Sequence, residues 1–347
     1  MLSRVANTLY WMVRYVERAD NLARLIDVNQ QLLLDSERLD SARLRGFWQP
    51  IILSTGEEEV FNTLYDKAGS AEVIRFLTDD RRNPNSITSC IVLARENART
   101  VRDQLSDELW EELNALYLFT RSEEADALIA SDPPRYYQNV RRSAETFLGI
   151  AASTISRDEA WEFMDLGRHL ERADKTTRFL DVANYLPGGA EGVEAASQGI
   201  LHWSAILRSC GALGAYRAFN REISARGVVE FLVFSNEFPR SVRFCIENTD
   251  ISLHRISGTP RGTFSNDAER ETGRLLADLN FGSADDAFGD GLHRFLDSLQ
   301  ERFNRIGDAI FESYVLMPER IQVCPVAESR SPSALALWQM QQQQQQQ

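Results

Sequence analysis

Two sets of charged residues carry the clearest chemical signal in this sequence, because the same set is written twice. Arg14, Glu17, Arg18, Asp20 and Arg24 fall in the stretch from Leu9 to Val28, and Arg168, Glu171, Arg172, Asp174 and Arg178 fall in the stretch from Phe163 to Val182. The two stretches align without a gap at an offset of 154, which carries residue 17 onto residue 171, and the identities extend to Ala19/Ala173, Asp27/Asp181 and Val28/Val182. Such residues support three kinds of chemistry. Arginines at 14, 18, 168 and 172 can hold a carboxylate or phosphate, and Glu17 and Glu171 can hold an amine. Two carboxylates brought together would shift each other's pKa, which makes Glu17 and Glu171 the weak candidates for acid/base catalysis. A balanced set of opposite charges can also be buried as an ion network where two helices cross, provided every member is hydrogen-bonded.

The elements that must position these residues read as helices. No Gly or Pro interrupts the first stretch, and Tyr15, Ala19, Leu22 and Ile26 recur at helical spacing. At about 100° per residue Arg14, Glu17, Asp20, Arg24 and Asp27 occupy an arc of roughly 140° opposite that apolar stripe. The apolar side differs between the copies while the charged side is kept. Local spacing pairs Arg14 with Glu17, Asp20 with Arg24, and Arg24 with Asp27. The first helix is expected to run from near Ser3 through Gln30 to about Asp35.

Further blocks repeat at an offset of 155. Phe47 to Gly56 is echoed by His202 to Gly211, Val73-Ile74-Arg75-Phe76-Leu77 by Val228-Val229-Glu230-Phe231-Leu232, and Pro84-Asn85-Ser86-Ile87 by Pro239-Arg240-Ser241-Val242. Taken alone, the segment from Gly227 to Phe234 resembles a strand. Its partner has helical spacing and a capping residue, Ser70, so both are assigned as short helices. Ser86 and Ser241 restart helices after their prolines. The helix after Ser86 carries a second cluster, with Glu96, Asn97 and Arg99 as candidate binding residues, which the other half does not repeat.

Amphipathic helices are also expected over Glu108 to Ala130, Tyr136 to Ser156, Thr263 to Leu279 and Gly291 to Val315, with loops at Leu186 to Gly199, Ser257 to Asn266 and Phe281 to Gly291. The fold class that follows is all-α, an internally duplicated helical bundle with two pseudo-symmetric halves, about 1–156 and 157–317. Residues 318–347, which end in seven glutamines, are expected to form a disordered tail.

Composition narrows the partners. The chain has 347 residues and a net charge of −13, which argues against nucleic acid and against a general affinity for anionic membranes. No apolar run approaches the ~18 residues of a membrane span, and no signal peptide precedes the first helix, so a cytoplasmic location is expected. The four cysteines, Cys90, Cys210, Cys245 and Cys324, are widely spaced and read as buried thiols. No Glu-x-x-His pair, phosphate loop or nucleophile motif is present, so neither a metal nor a cofactor is expected. Trp48 and its counterpart Trp203 read as core.

The opening segment from Ser3 to Val28, together with Trp161 to Lys175, closely resembles the bacterial alpha-E domain family, long described as a domain of unknown function. The segments Arg95 to Arg99 and Pro239 to Val242 resemble it too, and the likeness covers about residues 1–317. The resemblance implies an all-helical, cytosolic bacterial protein with no designated catalytic residues. It also implies ATP-grasp-type and transglutaminase-like proteins as partners, and a setting in which a peptide or amide-linked product is made or processed. The glutamine-rich tail departs from the family pattern. The expectation is therefore a non-catalytic accessory subunit that binds a partner enzyme, or its peptide-like ligand, through the Arg/Glu band. An enzyme on amide or amino-acid substrates with Glu17 and Glu171 as acid/base and a purely structural homodimer are the alternatives.

Overall fold

A computed structural model of the chain describes residues 1–34, 41–185, 193–289 and 291–316. These residues are largely helical, with no strand among them. Helix α1 (Ser3–Leu34) is followed by α2 (Ser41–Thr55), α3 (Glu58–Leu64), α4 (Ser70–Thr78) and α5 (Ile87–Thr100). A 3-10 turn at Arg102–Gln104 leads to α6 (Asp107–Phe119), α7 (Glu123–Ser131) and α8 (Pro133–Thr154). Next come α9 (Glu159–Tyr185), α10 (Val193–Ser209), α11 (Leu213–Phe219) and α12 (Ala225–Val229), the last running on into a π-helical turn at Glu230–Phe234. The helices α13 (Val242–Ser257), α14 (Asp267–Phe281), α15 (Ala284–Gly289) and α16 (Leu292–Tyr314) complete the series.

The long helices α1 and α9 form the spine. On α1 the apolar Leu9, Met12, Val16, Ala23 and Ile26 are buried, as expected of an apolar stripe, but so are Glu17, Asp20, Arg24 and Asp27. A helix buried on its charged side as well must be covered on several faces. Helix α1 packs against α5, α8 and α9, and α9 packs against α1, α13 and α16. The shorter helices cross over: α2 packs on α9, and α10 packs on α1. Gly167, in mid-α9, explains how the spine closes, because a Cβ there would stand 2.3 Å from the Tyr10 carbonyl oxygen on α1. A mid-helix glycine costs about 0.5–1 kcal/mol, and here it permits direct backbone approach.

Several boundaries follow from caps. Ser86 and Ser241 each accept a hydrogen bond from a backbone N–H three residues on, Ser89 and Phe244, so both proline turns restart a helix as expected. The segment from Gly227 to Phe234 is helical, with its last turn widened to π. Ser70 does not cap α4, however. Gly69 stands at that position, and the Ser70 hydroxyl accepts from the indole N–H of buried Trp48 at 2.7 Å. The expected helix over Glu108 to Ala130 is two helices, because Ser122 caps a new one by accepting from the Ala125 N–H. The expected loop at Phe281 to Gly291 contains α15. That expected at Leu186 to Gly199 ends earlier, since α10 starts at Val193, and its first part lies outside the described residues.

Met1–Leu316 forms one compact unit. No helix among the described residues is long and apolar enough to cross a membrane. The expected tail and Cys324 lie outside the described residues.

Candidate functional site

Where α1 crosses α9, the two glutamates exchange partners. Glu17 on α1, fully buried, takes Arg172 of α9 in a two-pronged pair at 2.9 and 2.8 Å. It also receives Arg240 at 2.9 Å and the Asn21 amide at 3.3 Å. Glu171 on α9, equally buried, takes Arg18 of α1 at 2.6 and 2.9 Å and Arg14 at 2.8 Å, with Lys175 at 3.6 Å. Each glutamate is thus neutralised from the other long helix. Intrahelical spacing misplaces Arg14, which bonds Glu171 and not Glu17. The Asp20–Arg24 pair forms at 2.9 Å, and its counterpart Asp174–Arg178 forms at the same distance. Arg24 does not reach Asp27, whose carboxylate is held by Gln31 and by Arg141 of α8. Arg168, the counterpart of Arg14, turns to Asp165 at 2.5 Å instead of to a glutamate.

The two later arginines make a second exchange. A Cβ at Gly56, after α2, would lie 3.2 Å from Arg178 Nη1, and one at Gly211, after α10, would lie 3.3 Å from Arg24 Nη1. Both glycines have positive φ, 76° and 62°, and so turn the chain sharply beneath a guanidinium.

Burial alone would raise the pKa of Glu17, but Arg172 and Arg240 overcome it and hold the carboxyl far below its ordinary range. Glu171 is held down likewise against burial, by Arg18, Lys175 and Arg14. Both carboxylates therefore stay ionised and fully engaged near neutral pH. That state suits a scaffold and does not suit a proton carrier.

Beside this network lie two adjoining chambers that share Arg14, Asp174 and Asn304 in their walls. One, of about 510 Å³, is walled largely by aromatic and aliphatic side chains, including Tyr10, Trp11, Phe163, Phe303 and Phe311. The other, of about 250 Å³, is polar, with Arg18, Lys175, Arg178, Asn85 and Glu57 around it. In this polar chamber Arg18 donates to Asn85, which in turn donates to Glu57.

Among the candidates from sequence, the crossing gathers Arg14, Glu17, Arg18, Asp20, Arg24, Glu171, Arg172, Asp174 and Arg178. It does not gather Glu96, Asn97 and Arg99. Glu96 pairs with Arg95 and Arg99 of its own helix, and Arg95 lies over the rings of Trp110 and Tyr117 on α6. Sequence reasoning missed Arg240, Lys175 and Asn85. The signal was there: the 155 offset sets Asn85 against Arg240, and the 154 offset sets Asn21 against Lys175.

The three described cysteines are buried, and burial pushes each thiol up to about 12. Trp48 is core, and Trp203 is partly buried against the core. His293, for which spacing offered no paired carboxylate upstream, meets Asp181 of α9 at 2.8 Å and Asp297 of its own helix at 3.4 Å.

Comparison with known proteins places this geometry. Residues 1–315 match the model of the Alpha-E family, described as a predicted alpha-helical domain with a conserved ER motif. Glu17-Arg18 and Glu171-Arg172, at the heart of the crossing, fit that description. An uncharacterized protein of Mycobacterium bovis and one of Mycobacterium tuberculosis strain CDC 1551 are each 27% identical over 279 residues, and one of strain H37Rv is 26% identical over the same length. The alignment covers 74% of this chain and only 30% of each relative, so the chain spans less than a third of their length. No solved structure matches it. With its all-helical fold, its two Glu-Arg pairs and a family match that extends over residues 1–315, the chain belongs to the Alpha-E family.

Proposed function

We propose that this chain is a non-catalytic helical accessory subunit that binds a partner enzyme of the ATP-grasp or amidoligase type, or that enzyme's peptide-like substrate, in a system that forms or processes peptide or amide bonds. We further propose that residues 1–317 arose by duplication of one helical unit, with halves near 1–156 and 157–317, and that the protein works in the cytoplasm. The observation that carries the binding reading is the pair of chambers against the α1–α9 crossing. A polar space with four cationic neighbours, Arg14, Arg18, Lys175 and Arg178, opens beside an apolar one. The two glutamates at the crossing, Glu17 and Glu171, are already committed to arginines, and Glu57 in the chamber wall accepts from Asn85. A reading in which Glu17 or Glu171 moves protons has to overcome the stabilisation of their ionised forms, so binding is favoured over acid/base catalysis. The duplication is supported by the exchanged ion pairs and by the crossed packing of α2 and α10. The class of partner rests on the family resemblance. In the mycobacterial relatives the matched part is accompanied by other sequence, consistent with a module that works beside another activity.

The test is capture of the tagged protein from its native cells, with identification of what accompanies it. An ATP-grasp-type or transglutaminase-like protein is expected to accompany the wild type in stoichiometric amount. Purified protein that retains neither class from native lysate would contradict the accessory role.

A further inference from the structure

We infer that the two chambers form a single site for the C-terminal carboxylate of a peptide whose last side chain is apolar. This deepens the binding reading above and rests on it.

Charge is the first argument. Arg14, Arg18, Lys175 and Arg178 border the polar chamber, against Asp174 and Glu57 in its wall and Glu171 behind it. Around the polar chamber four cations facing three acids leave one positive charge over, in a chain whose net charge is −13, and the further acid in the apolar chamber's wall, Asp308, is exposed to solvent. A monoanion satisfies that excess. A phosphate dianion would bring surplus charge against Asp174 and Glu57, so a carboxylate is the better match.

Donors are the second. Arg14 uses Nε on Glu171 and Nη1 on Tyr10, and Arg178 uses Nε on Asp174 and Nη1 on the Ser54 carbonyl. Nη2 of each has no hydrogen-bond partner among the described residues, and neither atom is sealed from solvent in the way that Arg168 Nε is. Lys175 touches Asp174 and Glu171 and has three protons to give. Three donors from three residues thus remain for a ligand.

The third argument is the matching position in the other half. The position matching Asn85 is Arg240, and its guanidinium bonds Glu17 at 2.9 Å, Asn21 at 2.8 Å and Asp20 at 2.6 Å. There the loop itself supplies a cation to the glutamate. On the chamber side the cation comes from α9 as Lys175, in the place matching Asn21, and the shorter Asn85 leaves room. The polar chamber is thus lined by Asn85 and Lys175, two positions where the chain departs from its own repeat. The adjoining apolar chamber, with Trp11 and Phe311 in its wall and a volume of about 510 Å³, can take a large side chain next to the carboxylate.

The experiment is titration calorimetry on the full chain with N-acetyl-alanyl-phenylalanine, its C-terminal amide, and inorganic phosphate. The acid is expected to bind, with the amide and phosphate each weaker by at least about tenfold, the loss of one charge-assisted contact set. Lys175→Gln should weaken the acid by about tenfold and leave the amide unchanged; Asn21 at the matching position indicates that an amide side chain is accommodated there. Gly307→Leu is the second variant. A Cβ at Gly307 meets only Leu170 Cδ2 at 4.0 Å, so the added side chain enters the apolar chamber. It should weaken acid and amide alike while the melting temperature holds. Equal binding of acid and amide, binding of neither, phosphate binding as tight as the acid, or unchanged binding in Gly307→Leu would each overturn the assignment. The two readings fail separately. Acid binding without a captured partner removes the accessory role and keeps the ligand class, whereas a captured partner with no acid binding removes the ligand class alone.

Discussion

Arg14 and Glu17 stand one helical turn apart, and local spacing pairs them; in the fold Arg14 reaches Glu171, on a helix 157 positions further along. Spacing within a helix finds only partners on that helix. What was legible was which charges mattered, because both copies keep them. Spacing did find Asp20 for Arg24, but the partners of Arg14, Glu17, Arg18 and Glu171 were not legible, since they are fixed by how α1 crosses α9. Arg240 was hidden for the same reason, being a loop residue that becomes a ligand of Glu17 only once α13 is docked on α9. The pairing has a thermodynamic consequence. The folded-state pKa of Glu171 is depressed, so its contribution to stability is complete above the unfolded carboxyl value of about 4.3 and is lost as pH falls below it toward the folded value. Glu171→Gln leaves Arg14 and Arg18 without their carboxylate and Lys175 with Asp174 alone, and breaking one side of a buried pair costs about 3–5 kcal/mol. Thermal unfolding of this variant at neutral pH should show a large drop in melting temperature that shrinks as both proteins are taken into acid. An equal deficit at every pH would mean that the loss is one of packing and not of charge.

Among the elements, the long helices were the most legible, because neither contains a proline and both carry a continuous helical pattern. Short segments needed the comparison of the two halves. The residues from Gly227 to Phe234 have strand-like composition, yet they fold as a helix matching α4, since burial against neighbouring helices outweighs β propensity. Caps were partly legible: Ser86 and Ser241 cap as expected, while Ser70 is drawn away by the Trp48 indole. The break at Thr120–Ser122 went unseen because the apolar spacing continues through it. Gly167 is the element-scale feature with the sharpest test. Its missing side chain sets the distance between α1 and α9, and Gly167→Ala places a methyl 2.3 Å from the Tyr10 oxygen. Such overpacking costs about 1–3 kcal/mol. Gly149, in the middle of α8, has open space within 4 Å of where a Cβ would stand, and Gly149→Ala should gain about 0.5–1 kcal/mol from helix propensity. Denaturant midpoints should therefore move in opposite directions for two chemically identical substitutions. Parallel shifts would show that the crossing is not close-packed at Gly167.

At the scale of the molecule, the central claim is that the two parts of the chain complete each other. Glu17 is neutralised by Arg172 and Arg240, Glu171 by Arg14 and Arg18, α2 covers α9, and α10 covers α1. Neither part supplies the arginines that hold its own central glutamate, although pairs such as Asp20–Arg24 and Asp174–Arg178 close within one part. The matching blocks were visible as an offset in the sequence, but the swap could not be read from them, because two similar segments can equally stand side by side as separate bundles. The direct measurement is to express residues 1–156 and 157–316 as two chains, separately and together, and to follow helicity, cooperative melting and association. The fragments are expected to be soluble and cooperatively folded only together, as an equimolar complex that dissociates when Glu17 and Glu171 are both replaced by Gln. Two fragments that fold cooperatively alone and do not associate would contradict the account, since each half would then have a complete core and no need of the other's arginines.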